Sequence, residues 1–421
     1  MPTRLYTRIT LVLFLVLVSI ILQSIFLSLL SNTEERNQNM DYIRFYEPVA
    51  VNIMNGNGLE DTCGNLAVRY PPGFSLILAP VFRLAELLHT DRLQLIAIFN
   101  VVITAFNCVL IFLIGESVFN LRIGFLGALM WVTYPFHLWL IKQPNSELPF
   151  MFLLFLAICL FICALKRNRL LVVFFVGVIL ALSALVRPVS LMLIVVFMPM
   201  LMFSRNINLS RRTVSIFLLL AGFVITVLPW EYYVYSLSGD IIPLSTGGLP
   251  SIKDGLQFVI RPTISGNQAS VPEDVMEFMV QVKNRDNQLE TTGEVFDFVI
   301  QEFKENPGTI IKLYVIKIMR SWYATTEMWY ENYIWPIQVF YLAFGIMGII
   351  FAFRFYNERI LIVLFFVAII FYFWGMTVLV MSILRYMIPA MGLILIFAAI
   401  PVDGLLSRQR LYRKYVMSTD Q

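Results

Sequence analysis

Charge is what this 421-residue chain has little of. Only 14% of its residues are Asp, Glu, Lys or Arg, against about 25% in a soluble domain, while 59% are hydrophobic and the mean hydropathy is +0.78. A single water-soluble core of this size could not hide that much apolar surface. Ordinary soluble enzymes, disordered chains and nucleic-acid-binding modules are thereby excluded. Two histidines, His89 and His137, are too few for a His-built metal cluster. Four cysteines give no disulfide framework, because Cys108, Cys159 and Cys163 fall in apolar runs and Cys63 stands alone in a polar stretch. Strand-period alternation is missing, which argues against a β-barrel, and no repeat marks a two-fold transporter.

What is present is a series of long apolar runs, each near the roughly 20 residues a spanning helix needs. The first, about 11–30, lacks a small-x-small cleavage site and reads as an uncleaved signal anchor. Others follow near 95–115, 123–141, 148–165, 170–186, 188–204, 213–230, 334–353, 360–381 and 387–405. The expectation is an all-α polytopic membrane protein with about ten transmembrane helices. Seven of them form an N-terminal module, 1–230, and three form a C-terminal part, 334–405, followed by a basic tail, 406–421. Two long gaps, 32–93 and 231–333, interrupt otherwise short connections.

Charge sorting orients the chain. With the N-terminus in the cytoplasm, the inner pieces hold Arg4, Arg8, Arg122, Lys166, Arg167, Arg169, Arg205, Arg211, Arg212, Arg354, Arg359, Arg408, Arg410, Arg413 and Lys414. Against these 15 bases stand four acids, Glu116, Glu358, Asp403 and Asp420, leaving 16 bases and 23 acids of the totals of 31 and 27 outside. The positive-inside rule then puts both termini in the cytoplasm and both gaps outside, in a plasma (inner) membrane. Residues 71–90 carry Arg83, Glu86 and His89 and only about ten consecutive apolar positions, too few to cross, so they read as an interfacial or re-entrant helix. The triplet Asn208-Leu-Ser210 falls inside and reads as a chance glycosylation pattern.

In the first gap, Tyr42, Phe45, Tyr46, Val49, Ile53 and Met54 recur at helical spacing, predicting an amphipathic helix over about 41–55 that Pro48 bends and Asn55-Gly-Asn-Gly58 ends. Asp41 opens it, either as an N-cap or as a working carboxylate. Glu147, after Lys142-Gln-Pro-Asn145, opens the fourth span. Arg187 of Leu185-Val-Arg-Pro188 lies at an outer turn, Glu231 follows Pro229-Trp230, and Arg385 opens the last span. Ionisable groups next to hydrocarbon are expensive and are commonly paired or functional. A carboxylate at the outer interface can deprotonate a hydroxyl while arginines hold a phosphate leaving group. In the second gap, about 243–250 reads as loop and about 273–282, 293–304 and 308–322 as helices, ahead of an aromatic belt of Trp322, Tyr323, Trp329, Tyr330 and Trp335.

Asp41, Tyr46, Ala50 and Gly56-Asn-Gly58, then Arg69-Tyr-Pro-Pro-Gly73, resemble the first loop of membrane glycosyltransferases with the C-type fold, nearest to the protein mannosyltransferase / aminoarabinose transferase branch. Asn145-Ser-Glu-Leu-Pro149, Leu185-Val-Arg-Pro188, Leu228-Pro-Trp230, Ile242-Pro-Leu-Ser-Thr-Gly-Gly248, Asn306-Pro-Gly308 and Arg385-Tyr386 with Pro389 continue the series in order. The resemblance implies a polyprenyl-phosphate-linked sugar as donor and displacement with inversion. Asp41 would be the general base and Glu147 a second catalytic acidic residue. Tyr46, Arg69, Tyr70, Arg187, Glu231, Arg385 and Tyr386 would meet the substrates. The acceptor would be a lipid, glycan or protein. No cofactor is implied with certainty, although carboxylates at 41 and 147 could supply a divalent metal. Membrane lipids are the expected surroundings, and no nucleic acid is involved. Two positions depart from the pattern: Glu231-Tyr-Tyr233 stands where relatives carry Arg-Asn, and Asp41 precedes Tyr46 by five positions where about four are expected. Alternatives on topology alone are a polysaccharide polymerase or ligase and a lipid-linked-sugar flippase or transporter.

Overall fold

The structure is a computed structural model that describes residues 2–30, 39–204, 208–257, 271–326, 328 and 330–419, with side chains from Leu5 to Ser407 among these. Arg205 and Trp329, and the side chains of Arg4 and of the tail beyond Ser407, lie outside the described residues. Among the described residues every named element is a helix, and the one β-bridge, Glu60 to Leu66, is isolated.

Among the described residues, seven helices are long and apolar enough to cross a membrane: Leu5–Ser28 within α1 (Pro2–Ser28), Arg92–Val118, Glu147–Arg167, Leu209–Ser238, Glu331–Phe355, Asn357–Leu379 and Leu384–Ser407. An eighth arises if Leu121–Thr133 and Pro135–Ile141, bent by 58°, count as one span. Two of the ten expected runs, 170–186 and 188–204, form the shorter apolar helices Leu170–Val186 and Pro188–Met202. Seventeen residues extend about 26 Å at 1.5 Å per residue, the lower end of the length that crosses a hydrocarbon layer of about 30 Å. The second run begins as a 3₁₀ turn, Pro188–Leu193, before turning α-helical. The bend at Tyr134 has a local cause: Pro135 removes a backbone donor and holds Tyr134 extended, at φ −71°, ψ 113°.

The chain divides into two compact units. The first comprises Met1–Ser245, Tyr341–Ala368 and Gly392–Gln421. Within it, in chain order, a π-turn (Tyr42–Tyr46) leads into α2 (Glu47–Asn55). There follow α3 (Gly73–Leu87), α4 (Arg92–Val118), α5 (Leu121–Thr133), α6 (Pro135–Ile141), α7 (Glu147–Arg167), α8 (Leu170–Val186), α9 (Ile194–Met202) and α10 (Leu209–Ser238). Helix α3 is too short to span and amphipathic, burying Phe74, Leu78, Phe82 and Ala85 while Leu76, Leu84 and Leu87 stay exposed. Helices α8 and α10 meet through reciprocal glycines. A side chain on Gly177 would overlap the Leu219 carbonyl, and one on Gly222 would overlap that of Phe174. Sequence placed the end of a span at Pro229-Trp230, but α10 runs through Pro229 to Ser238.

At one end of this unit four residues that charge sorting assigned to the same side come together. Arg8 pairs with Glu116 at 3.0 Å, Lys166 donates to the Ser117 carbonyl, and Arg359 donates to the carbonyls of Val118 and, at 2.8 Å, Phe119. Three cations thus cover the negative end of α4, where carbonyls lack helical partners.

The second unit comprises Thr246–Phe340 and Ile369–Met391. Helices α11 (Gly248–Gln257), α12 (Glu273–Asn284), α13 (Thr292–Glu305) and α14 (Pro307–Arg320) close on a core of Leu256, Val275, Phe278, Val282, Val295 and Leu313, with Phe278 and Phe298 stacked at 5.7 Å. The reading of 243–250 as loop is corrected at its end, since α11 starts at Gly248 and keeps Pro250 in its first turn, where a missing N–H costs nothing. Thr291 and Glu294 form a capping box that starts α13. Asp274 holds Thr309 and Lys312, each at 2.9 Å. Helix α14 is inverted relative to a water-soluble helix: Lys317 and Arg320 are buried while Ile311, Val315, Ile318 and Met319 are exposed, the pattern of a helix whose outer face meets lipid. Helices α15 (Glu331–Phe355), α16 (Ile360–Leu379) and α17 (Ile388–Thr419) complete the chain.

Candidate active site

The helix carrying Asp41 is not a plain α-helix. Tyr42–Tyr46 forms a π-turn, with the Glu47 amide donating to the Tyr42 carbonyl five residues back. Pro48 stands immediately behind it and cannot donate to the Arg44 carbonyl, so the helix widens there. In an α-helix residues three and four apart share a face, and the wider turn moves that match to residues five apart. Asp41 and Tyr46, at that spacing, accordingly meet the same residue. Tyr70 donates its hydroxyl to Asp41 Oδ1 at 3.1 Å, and its ring stacks on Tyr46 with centroids 4.9 Å apart at 25°.

Asp41 is not an N-cap: it has helical dihedrals, φ −65° and ψ −37°, and its side chain makes no capping bond. Its carboxylate is turned to the tyrosine instead. The preceding Asn39 does the local work, accepting the Asp41 amide on Oδ1 at 3.1 Å and donating Nδ2 to the Pro144 carbonyl at 2.6 Å. This ties the start of the first loop to the segment before α7.

That segment is pinned by asparagines. Asn145 accepts the amides of Glu147 and Leu148 and donates to the carbonyls of Leu140 and Gln143, while Asn100 donates to Ile141 and Gln143 and Asn107 to Leu148. A turn this deep in apolar surroundings needs its carbonyls satisfied by side chains. The result is a fixed position for Ser146 and Glu147. Glu147 Oε1 pairs with Arg187 at 2.8 Å, the carboxylate side chain 1% exposed and the guanidinium 18%, and Arg187 also donates to Ser146 Oγ at 3.0 Å.

Tyr46 joins the two halves. Buried, with its backbone carbonyl taking the Ser75 hydroxyl at 3.1 Å, it is hydrogen-bonded to Ser146 and feels the charges of Arg187, Asp41 and Glu147. Burial raises the Tyr46 phenol far above its ordinary range, and Arg187 and the Ser146 bond offset only part of this. Burial and then the charge of Asp41 raise Tyr70 likewise. Both hydroxyls therefore remain protonated donors near neutral pH. Arg69 lies against the rings of Phe45 and Tyr70, at 5.7 and 5.9 Å, and its buried Nε has no hydrogen-bond partner. Gly73 lets Arg69-Tyr-Pro-Pro-Gly73 lie on the end of α8, because a Cβ there would sit 2.5 Å from the Leu185 carbonyl oxygen and 2.8 Å from the Val186 nitrogen.

Asp41, Tyr46, Arg69, Tyr70, Glu147 and Arg187 are thus brought together. Three further expected residues make other contacts. Glu231 accepts the Leu244 amide at 2.8 Å, and the neighbouring Trp230 donates to the Leu244 carbonyl at 2.9 Å. The pair clamps Leu244 in a left-handed conformation, φ +58°. Arg385 and Tyr386 belong to the second unit, on a 3₁₀ turn (Leu384–Met387) with the guanidinium 5.9 Å from the tyrosine ring. Ser146 and Asn39 were missed, although both flank a carboxylate singled out by sequence. As for a metal, Glu147 Oε1 is paired with Arg187. Among the described residues no group of three or more His, Cys, Asp and Glu assembles a metal site.

Residues 69–233 match the profile of the dolichyl-phosphate-mannose-protein mannosyltransferase family. Among curated proteins, none matches the sequence. The fold has close counterparts among solved structures. Archaeal oligosaccharyltransferase AglB from Archaeoglobus fulgidus, in complex with an inhibitory peptide and a dolichol-phosphate, superposes with a TM-score of 0.60 over 99% of this chain at 10% identity. The apo oligosaccharyltransferase of the same organism gives 0.62 over 98% at 12% identity. The chain spans about half of these proteins, 52% of each. The fold is therefore that of the archaeal oligosaccharyltransferase, and the expected resemblance to membrane glycosyltransferases holds at the level of the fold and of the profile over 69–233.

Proposed function

We propose that the protein is a glycosyltransferase that moves a sugar from a polyprenyl-phosphate donor to an acceptor hydroxyl at the outer face of the plasma membrane, with inversion. The carrying observation is the convergence of a carboxylate, Asp41, with Arg69 and the Arg187–Glu147 pair around Tyr46 and Tyr70. The mannosyltransferase profile over 69–233, and a fold shared with a protein solved with dolichol-phosphate, support the lipid-phosphate donor class. The clustering of Arg8, Glu116, Lys166 and Arg359 at one end supports the charge-sorted topology, with both termini inside.

In this mechanism Asp41 takes the proton of the acceptor hydroxyl as its oxygen attacks the anomeric carbon from the side opposite the phosphate. The bond between the anomeric carbon and the phosphate oxygen breaks, and its electron pair leaves with the polyprenyl phosphate. Tyr70 holds the carboxylate in orientation. Arg69, whose Nε has no protein partner, is the nearer candidate for the phosphate oxygens. Arg187 has Glu147 and Ser146 to satisfy, and Glu147 serves by fixing Arg187 rather than by meeting the substrate. Arg385 is the candidate phosphate contact of the second unit, and Glu231 shapes the loop that carries Leu244.

The test is transfer from a labelled polyprenyl-phosphate sugar by purified protein. Asp41→Asn is expected to abolish turnover while leaving expression and thermal stability unchanged. Near-wild-type turnover by this variant would remove Asp41 as the base.

A further inference from the structure

Lys317 is a lysine with no exposed surface. Its ammonium donates to two backbone carbonyls, Gly255 at 2.8 Å at the end of α11 and Val380 at 2.9 Å just after α16, and lies 5.8 Å from the Tyr314 ring. Burying a lysine is costly, and a leucine or methionine would fill the space without that cost. What an apolar side chain could not do is satisfy those two carbonyls.

The Val380 carbonyl opens the connection between α16 and the Leu384–Met387 turn. At its other end the Leu384 amide donates to the Ala324 carbonyl at 2.9 Å, a residue just past the end of α14. Ser382 donates to Thr377, and Tyr386 to the Ile383 carbonyl. The non-helical stretch 380–383 is therefore gripped at both ends by α14 and the residues following it. Arg385 follows directly. Gly255 completes the arrangement, because a Cβ there would overlap the Val380 carbonyl and stand 3.1 Å from Lys317 Nζ.

We infer that Lys317 is a positioning residue that fixes the backbone of 380–384 and thereby sets Arg385 for a lipid-borne phosphate. This rests on the reading of Arg385 as a phosphate contact. The depressed pKa of the lysine, lowered by burial to about 7, fits a group held for its N–H donors, since a neutral amine still has two.

Binding of a short-chain polyprenyl monophosphate to the purified full chain, together with hydrogen exchange over 376–387, tests this. Lys317→Met and Arg385→Gln should each weaken phosphate binding about tenfold, and the double variant should bind no worse than Arg385→Gln alone. Additive losses in the double variant would overturn the inference. Lys317→Met should also speed exchange at 380–387 while the helices of the first unit keep their protection, and unchanged exchange there would overturn it independently. If Arg385→Gln leaves binding unchanged, the phosphate reading of Arg385 falls and the exchange result alone decides whether Lys317 positions the turn. Gly255→Ala, which displaces the same carbonyl with Lys317 intact, should reproduce the exchange effect.

Discussion

Tyr70 serves two residues five apart on one helix, giving its hydroxyl to Asp41 at 3.1 Å and the face of its ring to Tyr46 at 4.9 Å. The two contacts separate orientation from packing, so they can be removed singly. Tyr70→Phe keeps the stack and loses the hydrogen bond. A hydrogen bond to a charged group contributes about 1.5–3 kcal/mol, so turnover should fall about 10- to 100-fold with little change in melting temperature. Steady-state rates with a labelled donor check this, and an unchanged rate would show that Asp41 needs no such support.

The turn geometry predicts more. Deleting Ile43, an exposed residue inside the π-turn, should restore an ordinary α-turn in which Asp41 and Tyr46, now four apart, still share a face. Expression, helicity and transfer should survive, whereas a second residue inserted beside Ile43 should separate the two side chains and abolish transfer. Lost activity in the deletion variant, or retained activity in the insertion variant, would mean that the turn does not serve to align the two residues.

Glu147 and Arg187 form a buried pair, and breaking one is worse than never having had it. Glu147→Ala leaves a guanidinium in apolar surroundings and should destabilise the protein by about 3–5 kcal/mol. Glu147→Gln keeps the shape and a carbonyl acceptor and should lose less. Thermal unfolding in detergent distinguishes the two, and equal melting temperatures would contradict the pairing.

Lys317 predicts a pH dependence of defined sign. Its folded-state pKa is lowered to about 7 from 10.5, so between those values the unfolded chain holds a proton that the folded chain lacks. Stability contributed by this site therefore rises with pH across about 7 to 10.5 and is lost as pH falls through 7, at about 1.4 kcal/mol per pKa unit. Relative to wild type, Lys317→Met should be at its most favourable at pH 6.5, with the difference shrinking toward pH 9. A pH-independent difference in melting temperature would show that the buried lysine does not titrate in that range.

Sequence carried the fold class, the two polar gaps and six residues of the cluster, because hydropathy and charge placement are one-dimensional quantities. At 170–204 two apolar runs were legible, but not that Arg187-Pro188 would part them into the shorter helices Leu170–Val186 and Pro188–Met202. Sequence ended α10 early at Pro229, which an established helix tolerates. Glu231 was legible by its position after Pro-Trp, but not that its carboxylate holds the Leu244 amide, a bond between residues 13 apart through a left-handed loop that no pattern announces. The five-residue spacing of Asp41 and Tyr46 was visible as an irregularity. In the fold the helix absorbs it as the π-turn Tyr42–Tyr46.

That irregularity bears on how such chains are compared. A π-turn is an inserted residue stored inside a continuous helix, so aligning this chain with relatives that space the two residues four apart requires a one-residue gap where alignment schemes ordinarily penalise gaps most. Without the gap, either the carboxylate or the aromatic residue is matched to the wrong column, and kinship in the first loop is underestimated even though the side chains meet.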